Sequence, residues 1–344
     1  MPCGNDRRTG HWIRTSAQGT SLSDPRQPHV QAWSAYWSSG ALHSCATSFA
    51  GNYAGAIATF WRGVFADLPQ AARMLDLATG NGALPQLALA QVSDPEFRVH
   101  AVDLAALAPA WSAQAADRLR FHPGVALESL PFGDGSFDLV ASQYGIEYAR
   151  WPDALREALR VCDAHGVVAC VVHHAGSALV RVGHREAGNL SLLLREDGLL
   201  SAARDAIPWA ARAGAHAGGD AMSAARQAYN LAIAAIAEAL EDNAVPDLLL
   251  STRHQVHSLV AAVRNGTVAP DRALAMLANF HDDLVLSHIR TSDMLASARD
   301  RDGIESMAAC IQQLRPEHCA NIIELRQEQG VLGWGVVLAP QPRC

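Results

Sequence analysis

Two aspartates and a glycine-rich turn are the first residues whose types and spacing could do chemistry. Asp76 stands in the apolar run Met74-Leu75-Asp76-Leu77, just before Ala78-Thr79-Gly80-Asn81-Gly82. A strand that ends at Gly80-Asn81-Gly82 and runs into a helix presents unobstructed backbone N–H groups where a negative group is welcome. That suits either NAD or a smaller adenosyl ligand. In a dinucleotide fingerprint a glycine or alanine lies three residues after the second glycine; here that position is Pro85, which disfavours NAD. Asp76 would also repel a pyrophosphate, whereas it could hold an ammonium or ordered water. Asp103 ends the next apolar run, twenty-one residues after Gly82, where a carboxylate accepts both hydroxyls of a ribose. Together the two acids predict an adenosine carrying an amino-acid-like cation.

Open α/β sheets bind ligands beyond the carboxyl ends of their strands, so acid–base candidates are sought just after the later strands. These are Gln143, Tyr144, Glu147 and Tyr148 on one side and His173 and His174 on the other. A neutral imidazole can take the proton of a phenol or alcohol, and strand alternation lets only one of the two histidines face the cleft. The alternative is that the pair merely ends a buried strand, and that Glu147 is a helix-terminal charge. Upstream, His43 and Tyr53 lie in an aromatic-rich stretch that could cover the ligand, a ring face attracting a cation. His281, Asp282, Asp283 and His288 read as an exposed polar face and no metal site is expected, since 281 and 288 would sit two helical turns apart.

The elements that must position these residues alternate. Strand-like runs at 73–78, 98–103, 137–142 and 167–173 are separated by helical stretches at 83–91, about 110–118 and 153–162. Short buried runs between helices predict a parallel sheet covered on both faces. Near the end, "ANIIELRQEQGVLGWGVVLAP" reads as two strands around a Gln-Glu-Gly turn. About 145 residues separate His174 from that hairpin, far beyond the roughly 10–15 of a simple crossover. Their apolar residues recur at three- and four-residue spacing, which predicts an insertion of packed helices.

Four ordered segments then carry a family resemblance: "LDLATGNG", "VHAVDLA", "ESLPFGDGSFDLVASQYGIEY" and "ALREALRVCDAHGVVACVV". Over about 70–174 the chain resembles class I S-adenosylmethionine-dependent methyltransferases. The resemblance implies a Rossmann-like, mostly parallel seven-stranded sheet with an antiparallel terminal hairpin, here with a large helical insertion after the fifth strand. It implies S-adenosyl-L-methionine as cofactor. By the same resemblance Asp76 and the 78–82 loop (Ala78, Thr79, Gly80, Asn81, Gly82) serve the methionine end, Asp103 and Leu104 the ribose, and Leu127, Glu128 and Ser129 the adenine edge. Ser142, His43 and Tyr53 complete the expected cofactor site. Ala126 stands where the family often has an adenine-facing acid, leaving the Leu127 N–H or Glu128 to read that ring. His165 replaces a glycine of the usual turn before strand five, and Asp138 resembles a structural residue.

The expected organisation is a leader over 1–28 and a helical lead-in covering the cofactor over 29–69. The cofactor-binding core at 70–174 follows, then a helical lid or substrate subdomain at 175–290 and a last helix with the closing hairpin at 291–344. With 344 residues, 49% of them apolar, a substantial core is expected. A net charge of −7 argues against a nucleic-acid partner. The chain has no lysine, which removes Schiff-base chemistry. Seven cysteines without a CxxC pair suggest neither a zinc ribbon nor a disulfide framework. Reduced thiols and the lack of a long apolar run predict a cytoplasmic protein without membrane attachment. The expected partner is a small-molecule methyl acceptor, O-methylation being preferred because histidines stand where a base is useful. A peptide or protein side-chain methyltransferase, and a non-catalytic cofactor-binding module dimerising through the insertion, stay open as alternatives; a nicotinamide oxidoreductase is the least favoured.

Overall fold

The structure, a computed structural model, describes residues 24–44, 51–212, 219–241, 243–328 and 330–340. Of the leader expected over 1–28, residues 1–23 lie outside the described residues, and Gln27 opens a helix. In chain order the elements are α1 (Gln27–Ser38), α2 (Gly55–Ala66), β1 (Arg73–Leu77), α3 (Ala83–Gln91), β2 (Arg98–Asp103), β3 (Leu119–Pro123), β4 (Phe137–Gln143), α4 (Trp151–Val161) and β5 (Cys162–His173). Then follow α5 (Ala178–Leu193), α6 (Leu199–Ala210), α7 (Asp220–Leu240), α8 (Asp247–Arg264), α9 (Pro270–Ser297), α10 (Arg301–Leu314), β6 (His318–Gln327) and β7 (Gly330–Pro340).

The strands form one seven-stranded sheet in the order β3-β2-β1-β4-β5-β7-β6. β1 to β5 pair in parallel and β7 runs antiparallel between β5 and β6, as the implied Rossmann-like fold requires. Central strands are apolar on both faces because both are covered. Leu75, Leu77, Val140 and Val172 pack toward α4 and α10, while Met74, Val99, Leu139 and Val171 pack toward α2 and α3. On α4 the spacing makes the sidedness plain: Ala154, Leu155, Ala158 and Leu159 are buried, and the intervening Arg156 is exposed.

Two local readings are corrected. The helix expected at 110–118 is a 3-10 turn over 110–115, and the short edge strand β3, which no apolar alternation marked, follows it. The helical segments between β5 and α10 build a core of their own around Leu193, Ile207, Ile236, Val256 and Leu277. The boundary expected at 290 falls inside α9, which runs unbroken to Ser297. At 28 residues this helix is about 42 Å long, long enough to return from the insertion to the carboxyl edge of the sheet.

Cys162, Cys170 and Cys310 are free thiols, but Cys319 on β6 is disulfide-bonded, so the expectation of reduced cysteines throughout does not hold. Among the described residues no helix is long and apolar enough to cross a membrane.

Candidate active site

The chain leaves β1 for β2 and β3 on one side of the sheet, then crosses back to β4 on the other. That reversal opens a crevice beyond the carboxyl ends of β1 and β4. The residues level with Asp76 on both neighbouring strands are alanines, Ala101 and Ala141, which keeps the space beside its carboxyl open. The turn after β1 is left-handed at Ala78 (φ 52°), Gly80 (54°) and Gly82 (80°). Glycine is also demanded by space: a Cβ on Gly80 would lie 2.5 Å from the ring of Trp37, and one on Gly82 2.6 Å from Phe121.

Asp103 braces this turn. Its Oδ2 accepts the Gly80 N–H at 2.8 Å and its Oδ1 the Ala105 N–H at 2.8 Å; each oxygen keeps a second lone pair for another donor. Burial pushes its carboxyl up from the usual range. Asp76 is only 1% exposed and its Oδ1 has no hydrogen-bond partner. Burial, with the neighbouring Asp103 adding to it, pushes the Asp76 carboxyl up to about 8. An orphaned, buried carboxyl beside a glycine turn is what an incoming ammonium would satisfy.

Above this floor lies a cavity of about 560 Å³. Helix α1 covers it. The Asn81 amide donates to the carbonyls of Trp37 and Ala41, both at 2.8 Å, and the Ala106 N–H donates to Ser34 Oγ at 3.0 Å. On the other side α1 is fastened to α9: Trp33 Nε1 donates to Asp293 Oδ2 at 3.2 Å, and His29 Nδ1 lies 2.7 Å from Asp293 Oδ1. The Arg290 guanidinium sits 5.0 Å over the Tyr36 ring.

The expected site residues divide sharply. Asp76, Ala78, Thr79, Asp103, Leu104, Leu127, Glu128, Tyr144, Tyr53 and His43 all line the cavity. His43 stacks on Tyr53 at 4.6 Å with Nε2 on the Gly51 carbonyl, and burial lowers its affinity for a proton. Gly80 and Gly82 shape the turn without lining the cavity. Asn81 is spent on clamping α1. Ser142 bridges the Leu77 carbonyl and the Ile146 N–H, and Ser129 is exposed away from the cavity. Asp138 takes the Arg73 N–H at 2.8 Å, a structural role.

The expected bases are displaced. Neither His173, His174 nor Glu147 lines the cavity. His173 and Glu147 form a buried pair, Glu147 Oε1 accepting the His173 N–H at 2.9 Å and lying 2.8 Å from its Nδ1. His174 stacks on Trp334 at 4.3 Å and accepts the Gly176 N–H. Tyr144 reaches the cavity wall, but its hydroxyl donates to the Leu332 carbonyl at 3.1 Å. The buried pair is therefore structural: His173→Ala strands the Glu147 carboxyl and is expected to cost about 3–5 kcal/mol, read as a fall in the midpoint of denaturant unfolding. A loss of less than about 1 kcal/mol contradicts that role.

The cavity is also lined by His29, Trp33, Trp37 and Asp293, none of them among the expected site residues. The first three recur at four-residue spacing and so share one face of α1, a signal that was present in the sequence. Asp293 meets them from more than 250 residues away, and no local pattern marks it.

Residues 74–166 match the family model described as a methyltransferase domain. Among solved structures, the chain is similar to a complex between the Haloferax volcanii Trm112 methyltransferase activator and a methyltransferase (27% identity, 33% of this chain and 51% of that one, TM-score 0.28). It is similar to an S-adenosylmethionine-dependent methyltransferase from Aquifex aeolicus (17%, 35% and 65%, TM-score 0.31). It is also similar to a geranyl diphosphate C-methyltransferase from Streptomyces coelicolor (16%, 43% and 66%, TM-score 0.34). The chain thus spans about half to two thirds of the length of these structures, and at such scores the likeness says nothing of substrate. No curated protein matches the chain. The ordered motifs, the sheet and the crevice thus meet in the segment, residues 74–166, that matches a methyltransferase domain.

Proposed function

We propose that the protein transfers a methyl group from S-adenosylmethionine to a small organic molecule, the acceptor atom being a hydroxyl oxygen. The observation that carries this reading is the unpartnered Oδ1 of Asp76 on the wall of a cavity covered by α1. Its 560 Å³ lies within the roughly 300–1,000 Å³ of small-molecule pockets.

In this reading Asp76 holds the ammonium of the cofactor's amino-acid end, Asp103 its ribose hydroxyls, and the 126–128 segment its adenine edge. Bound there, the cofactor supplies a methyl already activated on a sulfonium. What the chain adds is placement and dryness. Trp33, Trp37, Tyr53 and Tyr148 line the space and keep water from the reacting pair. The insertion closes the acceptor side through α9, which brings Asp293, Ala296 and Ser297 to the wall, and so acts as a substrate subdomain.

The test is calorimetric titration with S-adenosylhomocysteine, followed by incubation of methyl-labelled cofactor with a cell extract. Wild type is expected to bind, and Asp103→Ala to bind about 10²-fold more weakly through loss of charge-assisted hydrogen bonds. Label should pass to a species of low molecular weight. Absence of binding, or label found on protein alone, overturns the proposal.

A further inference from the structure

Resting on the methyl-transfer reading above, we propose that His29, oriented by Asp293, is the general base that takes the proton of an aryl hydroxyl bound against the aromatic rings of α1. The geometry is that of an imidazole oriented by a half-buried carboxylate. Asp293 is 15% exposed, and both of its oxygens are engaged from α1, one by His29 Nδ1 and one by the Trp33 indole. With Nδ1 donating to the carboxylate, the neutral ring carries its lone pair on Nε2. No described residue pairs with that nitrogen. Burial pushes the Asp293 carboxyl up, and the charge and hydrogen bond of His29 oppose this.

The other histidines near the crevice are committed elsewhere: His43 to Tyr53 and Gly51, His173 to Glu147, His174 to Trp334. The charged and titratable groups facing the dyad from neighbouring elements are few. Arg26 stands ahead of α1 and pairs with Asp24, Arg290 lies on α9 against Tyr36, and Glu128 and Tyr148 come from the sheet edge. Beside His29 the wall is built of flat rings, Trp33 packing on Trp37 at 5.9 Å and edge-on to Tyr148 at 5.5 Å. Such a wall favours a planar aromatic acceptor over an aliphatic one. The step balances. A bond forms between acceptor oxygen and methyl carbon as the bond from sulfur to methyl breaks. The breaking pair stays on sulfur, the hydroxyl proton passes to His29 Nε2, and Asp293 stabilises the resulting imidazolium.

The probe is 4-nitrophenol, whose anion absorbs visible light, added to protein saturated with S-adenosylhomocysteine. Wild type is expected to bind it and to raise the fraction ionised above that in buffer at the same pH. His29→Asn should still bind S-adenosylhomocysteine but lower the bound phenolate fraction about tenfold, one pKa unit of proton affinity. Asp293→Asn should move the ionisation of the bound phenol to higher pH, because the imidazolium loses its counter-charge. His29 is half exposed, so its replacement leaves the fold intact. Failure of 4-nitrophenol to bind the loaded protein, or equal ionisation in His29→Asn, overturns the base. Failure of S-adenosylhomocysteine itself to bind overturns instead the reading on which the base depends.

Discussion

Replacing Asp76 by asparagine is expected to stabilise the ligand-free protein at pH 8 and at the same time to abolish tight binding of S-adenosylhomocysteine. The sign follows from where the proton sits. In the folded chain burial raises the Asp76 carboxyl from 3.8 to about 8, while in the unfolded chain it titrates as an ordinary acid. Between those values the folded state holds a proton that the unfolded state has released. Stability from this group is therefore full below the unfolded value and is lost as pH rises through the folded one. Asparagine keeps the shape without the charge, so the variant should show a flatter stability profile, level with wild type in acid and above it in alkali. Ligand binding runs the other way. An ammonium beside the carboxyl favours its ionised form, so wild-type affinity should rise with pH toward 8 with uptake of ligand releasing up to one proton. Asp76→Asn removes that partner at a cost of about 2–5 kcal/mol of affinity. Thermal melts across pH, with and without S-adenosylhomocysteine, measure both halves. A variant that melts lower than wild type at pH 8 without ligand, or that keeps the ligand-induced rise, contradicts the assignment.

Gly80→Ala is expected to damage both the fold and the ligand site. Its backbone has φ +54°, which costs alanine about 1–2 kcal/mol. The added Cβ would sit 2.5 Å from Trp37, inside contact distance, and the ring can yield only by shifting α1. The same shift strains the Asn81 clamp and the Gly80 N–H to Asp103 hydrogen bond. Together these predict a stability loss of about 2–4 kcal/mol and a fall of S-adenosylhomocysteine affinity beyond detection. The double variant Gly80→Ala, Trp37→Ala separates the causes: removing the ring should restore the steric share and leave the backbone share. Without any such recovery, contact with Trp37 is not the source of the loss.

What could be read without coordinates was local or periodic. The turn at 78–82 carries its own geometry, because left-handed backbone selects glycine. Asp103 is found by its distance from that turn, and the alternation of strand and helix follows from buried runs that show in composition alone. Long-range placement was not readable. Whether a histidine at the end of β5 lines the crevice depends on what packs against it, and the pairing of Glu147 with His173 left both off the cavity wall. The stripe His29, Trp33 and Trp37 was present in the sequence, but its meaning came only when Asp293 arrived from α9. A chain's spacing determines which residues share a face of one element. What that face meets is decided by the packing of elements far apart in sequence, and here that packing made the cavity wall.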